Sequence, residues 1–385
     1  GLGRLHAERG SVYASVATMT VLTDGRGAQA IAGEVLDRLI GSEGLLVAAP
    51  GSSYRVLVRP GLLAEATAEL PLAGVATVLL VSRDDEPALA PLRSGLAAAG
   101  VVVQAAVVPG GPPTDLAIDL EMDLEPPRAD LVVAVGDAAV MDGARGFATH
   151  RDVPLALVPR SLQAQVECVL GGGYDPSSGE TPGYRPVVVL GDPVGITPAS
   201  DPRFGAGLAA AVRIALVADP DALELLVASA AAVLAGEVDA LTGLVRRSVT
   251  TSARVLTQDA SVGRVHLSYG DEFAHAFERL LGAQDMAALP WGLMAAAHLA
   301  RRLGMIDATV VDRHREVLCA FGLATAARFS WEAVQHAWSR PEMLRPEMYR
   351  PDRFVLLHAP GRAEAGVLAD DGALRGALDD LAEDR

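Results

Sequence analysis

The sequence contains no lysine and no asparagine, and all 32 of its fixed cationic side chains are arginines. A chain without lysine cannot form a Schiff base, nor use an ammonium group as acid, base or phosphate ligand. A composition rich in Ala, Gly, Val, Arg and Asp is what a GC-rich genome produces, and the chemical exclusion holds whatever the cause. Cysteine is nearly missing as well: Cys168 and Cys319 are the only two. They are too few for a disulfide framework and lack the paired spacing of a zinc site, so both read as small apolar residues. Basic charge is outweighed by 48 acidic residues, leaving a net charge of −16. No basic face is available to neutralise nucleic-acid phosphates, and anionic membranes repel such a chain. Apolar runs such as LPWGLMAAAHLA and VASAAAVLAG stop short of the roughly 18 residues a membrane span needs, and no basic leader precedes an apolar stretch. The expectation is a soluble cytoplasmic protein with no nucleic-acid or membrane partner.

What is present points to a large core. Of 385 residues, 50% are hydrophobic, enough for two domains. From Tyr54 to Pro193, short runs (YRVLV, ATVLLVS, VVVQAAVV, DLVVAVG, PLALVP, RPVVVLGD) alternate with helical patterns. Continuous apolar strands separated by helices predict a parallel sheet covered on both faces. Beyond Pro202 the strand signal fades, and apolar residues recur at helical spacing through segments such as RFGAGLAAAVRIALVAD and DEFAHAFERLLG. One late strand is expected at RFVLLHAPG. The Gly-, Pro- and Asp-rich stretch GDPVGITPASDPR marks the turn between halves. The predicted organisation is an N-terminal extension over 1–53 holding one amphipathic candidate helix (AQAIAGEVLDRLIG), a Rossmann-like α/β domain over 54–194, and an all-α domain over 195–385. The closing DDGALRGALDDLAEDR reads as an acidic helix with a solvated face.

Four segments in order carry a resemblance: AVGDAAVMDGARGF, VPRSLQAQVECVLGGG, FGAGLAAAVRIALVAD and GRVHLSYGDEFAHAFE. Together they resemble the 3-dehydroquinate synthase family and its sugar-phosphate cyclase relatives, from Tyr54 to the C-terminus. The resemblance implies an active site in a cleft between the two domains, a homodimer, NAD, and a divalent metal held by Glu, His and His. Those three ligand positions here hold Ala210, Asp271 and Asp285. Alanine offers no lone pair, and carboxylates favour hard cations over zinc. The family's glycine triplet becomes Gly136, Asp137 and Ala138, putting a carboxylate where a pyrophosphate should lie. GGPPTD lacks the charged residues of a nucleotide motif at that place. The family's lysines become Gly173 and Ser252, and its asparagine Ser268. No NAD, no zinc and no other cofactor is therefore expected. Asp142, Arg264, His275 and Asp192 survive as matches, with Arg213 standing for a lysine and Glu167 for an aspartate.

His275 follows Asp271 by four residues, so both share a helix face, and a carboxylate there would orient the ring and raise its pKa. The pair reads as a proton-transfer site or, equally, as a packed core histidine. Arg264 and Arg213 suit bidentate binding of a carboxylate or phosphate, or ion pairs with the many local carboxylates. Asp142 near the start of a helix reads as a cap more readily than as a catalytic group. The run GGGYDPSSG serves an anion cradle or a plain loop equally well. Trp291 lies in a segment predicted to approach the cleft. The candidate catalytic residues are His275, Asp271, Arg264 and Asp142; the candidate substrate contacts are Arg213, Glu167, Ser268, Asp285 and Arg160. The expected activity is acid-base cyclisation or elimination on a small anionic or polyketide-like molecule in specialised metabolism, without NAD or metal. The alternative is a non-catalytic partner or binding subunit with the same fold.

Overall fold

The computed structural model describes residues 44–49, 52–83, 89–108, 129–167, 186–198, 201, 203–258, 263, 265–281, 288–338 and 353–384. The candidate helix near the N-terminus, GGPPTD, GGGYDPSSG, Cys168, Gly173, Arg264 and Asp285 lie outside the described residues.

Seven strands form one sheet: β1 (Leu45–Ala49), β2 (Ser52–Val58), β3 (Thr77–Ser82), β4 (Val102–Val107), β5 (Leu131–Gly136), β6 (Leu155–Pro159) and β7 (Val188–Gly191). Their spatial order is β1-β2-β7-β6-β5-β3-β4, and every pairing is parallel except β1 with β2. β5, β6 and β7 are buried along their whole length, as the unbroken apolar runs predict for strands covered on both faces. β1 falls within the stretch set aside as an extension, so the sheet begins before Tyr54. A 3-10 turn at Leu62–Glu65, α1 (Ala66–Glu69) and α2 (Leu89–Ala98) pack on one face through Leu62, Ala66, Leu92 and Leu96. The other face carries α3 (Ala138–Arg151) and α4 (Leu162–Glu167), and through them meets the helical half.

That half contains α5 (Phe204–Ala218), α6 (Asp221–Leu234), α7 (Val238–Gln258), α8 (Asp271–Leu281), α9 (Ala288–Arg302), α10 (Ala308–Ala320), α11 (Trp331–Trp338) and α12 (Asp371–Glu383). α5 is buried on nearly every side, which explains its continuous Ala, Leu, Val and Ile content. None of the described helices is long and apolar enough to cross a membrane. The late strand expected at RFVLLHAPG is β8 (Arg353–Ala359), and it pairs in a hairpin with a second strand, β9 (Arg362–Leu368), that the sequence reading did not include. RAEAGVL leaves most of β9 exposed, so it carried no apolar alternation to read. The acidic tail is also corrected: α12 buries Leu374, Ala377, Leu378 and Leu381, and Asp380 pairs with Arg302. Its first turn is closed by Asp370, whose side chain accepts from the Ala373 amide.

α8 crosses α9 at backbone contact. Gly270 has φ +85°, and a Cβ on Gly292 would lie 2.4 Å from the Gly270 carbonyl oxygen. Both positions therefore need glycine.

Candidate functional site

Positions 271, 274, 275 and 278 share one face of α8, and this face lines a cleft of about 220 Å³. Gln163 and Glu167 of α4 form the wall from the sheet half, with Ala206 and Arg213 of α5 and Arg203 just before it. The opposite face of α8 carries Phe273 and Phe277, fully buried and stacked on Phe354 and Phe329 respectively. Hydrophobic packing thus seats the helix, while its polar side faces the cleft.

Arg213 is the most buried polar group of the site, at 5% exposure. One terminal nitrogen donates to Asp271 Oδ1 at 2.5 Å, and the other donates to Glu167 Oε1. Arg213 thereby ties α4, from the sheet half, to α8, from the helical half. The guanidinium lines the cleft while engaged by protein carboxylates, the ion-pair alternative of the sequence reading. Burial pushes the Glu167 carboxyl above its usual range, Arg213 pulls it back, and the charges of Asp271 and Asp142 push it up again.

His275 is oriented differently from the sequence expectation. Its Nδ1 lies 2.7 Å from the main-chain carbonyl of Asp271, not from the carboxylate, which is on Arg213. A carbonyl only accepts, so Nδ1 carries a proton and Nε2 is the nitrogen that gains or loses one. Glu278, one turn further, faces the same cleft. Burial raises its pKa, the His275 charge and Arg203 lower it, and Asp271 raises it.

Asp142 is not a cap. Asp137 holds that role, accepting from the Val140 amide at 3.1 Å, while Asp142 pairs with Arg145 at 2.9 Å and keeps 60% of its side chain exposed. Ser268 donates its hydroxyl to the Val265 carbonyl and does not line the cleft. Arg160 is half-buried and also stands outside the lining; its amide donates to the Gly136 carbonyl. Asp192 points away, into the loop before α1, accepting from the amides of Gly61, Leu63 and Val194. Trp291 packs edge-on against Phe329. The structure thus brings together Glu167, Arg213, Asp271 and His275, and adds Gln163, Arg203 and Glu278, which the sequence reading missed. Glu278 was detectable, since it continues the face of Asp271 and His275 by one turn. Arg203 stands before α5 in a turn and had no periodic signal.

A dinucleotide does not fit the described residues. The N-terminus of α3, where a pyrophosphate would accept amide hydrogen bonds, is filled by the Asp137 carboxylate. Arg83 holds that carboxylate through Nε at 3.1 Å and a terminal nitrogen at 3.0 Å. Gly136 is needed for packing, since a Cβ there would come 2.8 Å from Val140 Cγ2. A metal site of the family type does not fit either. Ala210 is fully buried without a donor atom, Asp271 is bound to a guanidinium, and no three metal-binding side chains converge among the described residues.

A family model described as the 3-dehydroquinate synthase C-terminal domain matches residues 207–341. A 3-dehydroquinate synthase from Ruegeria pomeroyi is 32% identical over 302 residues, covering 72% of this chain and 81% of its own length. That of Cereibacter sphaeroides is 30% identical over 363 residues, covering 86% and 96%. Among solved structures, 2-epi-5-epi-valiolone synthase from Streptomyces hygroscopicus, with NAD+ and Zn2+ bound, superposes with a TM-score of 0.68 at 19% identity, covering 88% of this chain and 99% of its own. 2-Deoxy-scyllo-inosose synthase, complexed with carbaglucose-6-phosphate, NAD+ and Co2+, gives 0.70 at 17% identity with the same coverage. At these identities the structures establish a shared fold.

Proposed function

Because this chain belongs to the 3-dehydroquinate synthase family, we propose that it is an enzyme using the cleft between its two halves for non-redox proton transfer, driving ring closure or elimination on a small molecule without NAD or a transition metal. The carrying observation is that His275 and Glu278 share one face of α8 and both line the cleft. A proton moves at Nε2 of His275, because Nδ1 is committed to the Asp271 carbonyl. Glu278, with its pKa raised by burial, is placed to exchange that proton with the imidazole. Asp271 positions the histidine through its backbone while its side chain is anchored on Arg213. The same reading takes the protein as cytoplasmic and part of specialised metabolism, and as the homodimer that the resemblance implies.

Charge revises the expected substrate. Among the described lining residues, Glu167, Asp271 and Glu278 face Arg203 and Arg213, and Arg213 is already claimed by two carboxylates. The described carboxylates outnumber the guanidiniums, so an uncharged or cationic polyol or ketone is a better fit than a phosphate.

The test is deuterium uptake. Protein is incubated in D2O with a panel of polyols, aminopolyols and cyclic ketones, and products are read by mass spectrometry. Wild type should label or convert at least one compound. His275→Ala and Glu278→Gln should melt normally and lose about 100-fold or more of that rate. No labelling by wild type across the panel would leave the non-catalytic binding subunit standing. A rise in melting temperature on adding NAD would remove the cofactor-free part of the reading.

A further inference from the structure

We infer that the guanidinium of Arg213 is a built-in substitute for a divalent cation, filling the position between Glu167 and Asp271 that a metal ion would otherwise occupy. Glu167 comes from α4 and Asp271 from the first turn of α8, so the two carboxylates converge from separate halves of the molecule. They converge on one cation that is 5% exposed. Two carboxylates facing each other in a partly desolvated cleft repel and lose hydration, and the arrangement is stable only with a positive charge between them. Paired carboxylates of this kind also suit a hard divalent ion with waters completing its shell.

Helix α5 carries both differences within a single turn. Ala210, at the position the family resemblance gives to a metal ligand, is fully buried and has no donor atom. Arg213, three residues on, reaches Asp271 on α8 with a charge of its own. A ligand is missing at 210, and at 213, where the resemblance gives a lysine, the positive charge is kept on a forked side chain that spans both carboxylates. A guanidinium keeps its charge at all physiological pH, so the cleft retains a permanent positive centre. It contributes one charge instead of two and donates hydrogen bonds in place of accepting lone pairs. The cleft can therefore fix carboxylate positions and field, but cannot ligate a substrate oxygen as a Lewis acid. The inference concerns charge placement alone and is measured without turnover, so it stands or falls separately from the proton-transfer reading.

Titration with Mn2+, followed by calorimetry and by thermal unfolding, tests it. Wild type should show no Mn2+ site that depends on Asp271. Arg213→Met leaves two carboxylates without their cation; it should melt at a lower temperature, bind Mn2+ at least tenfold more tightly than wild type, and regain stability with it. The gain should vanish in the Arg213→Met/Asp271→Asn double variant. Arg213→Gln, which keeps a hydrogen-bond donor for one carboxylate, is carried through the same titration in case the methionine variant folds poorly; a fold recovered only with Mn2+ supports the inference. Stoichiometric Mn2+ on wild type that is lost in Asp271→Asn overturns it. So do variants that bind Mn2+ no better than wild type, or that unfold equally with and without the ion.

Discussion

The hydroxyl of Tyr269 lies 3.0 Å from Nε2 of His314, the two rings meeting edge-on in a fully buried part of the core. Nδ1 of His314 is 2.7 Å from the Val310 carbonyl, so it carries the ring proton and Nε2 accepts from the phenol. Burial, helped by the nearby His298, holds the imidazole down at about 4 from an ordinary 6.5.

This histidine makes the fold acid-sensitive. Below about pH 6.5 the unfolded chain takes up a proton that the native state refuses until about pH 4. Stability should be complete above that window and fall as pH drops through it, by up to about 3 kcal/mol. His314→Gln keeps an acceptor for Tyr269 and should flatten this slope. Urea midpoints between pH 7 and 4.5 decide the matter, and an unchanged slope in the variant rejects the assignment.

Glu272 acts in the opposite direction. Its Oε1 accepts from the Val355 amide, while burial pushes its carboxyl up to about 8, with Asp271 adding to the rise. The native state keeps this proton where the unfolded chain has lost it, so stability should decline as pH rises from about 4.5 through 8. Glu272→Gln retains an acceptor for Val355 and should melt higher than wild type at pH 8.5, with little difference at pH 4.5. The two slopes oppose each other in mildly acidic solution, so each variant is compared with wild type at matched pH. Equal melting temperatures at pH 8.5 would show that folding does not raise the Glu272 pKa.

Asp137 supports the sheet half. Asp137→Ala removes both the cap on α3 and the partner of Arg83, and should cost about 1–2 kcal/mol. Asp137→Asn keeps an acceptor for the Val140 amide and should cost less. Chemical denaturation of the three proteins, giving that order, checks the role; an alanine variant as stable as wild type contradicts it.

The sheet was legible because β3, β5, β6 and β7 are apolar runs with few competing interpretations, and the helical half because α5 and α8 keep strict periodicity. β9 was not, since a mostly exposed hairpin strand needs no alternation. In the site, the shared face of Asp271 and His275 followed from their spacing. Their bonding did not: whether a carboxylate meets its own helix neighbour or an arginine 58 positions away in sequence depends on tertiary placement. Asp142 and Asp137 show the same limit, because both lie near one helix start and only the backbone angles identify the cap. The α12 tail was misread on charge, although Leu374, Leu378 and Leu381 already mark a buried stripe.

The contact of Gly270 with Gly292 separates two tasks within α8. The helix is seated by positions that have no side chain, by phenylalanines turned from the cleft and by the ion pair of Asp271 with Arg213, so residues 275 and 278 contribute little to where it sits. Those two positions are therefore open to replacement without displacing their frame. A lineage can rewrite what such a cleft does while its outline stays recognisable to comparison.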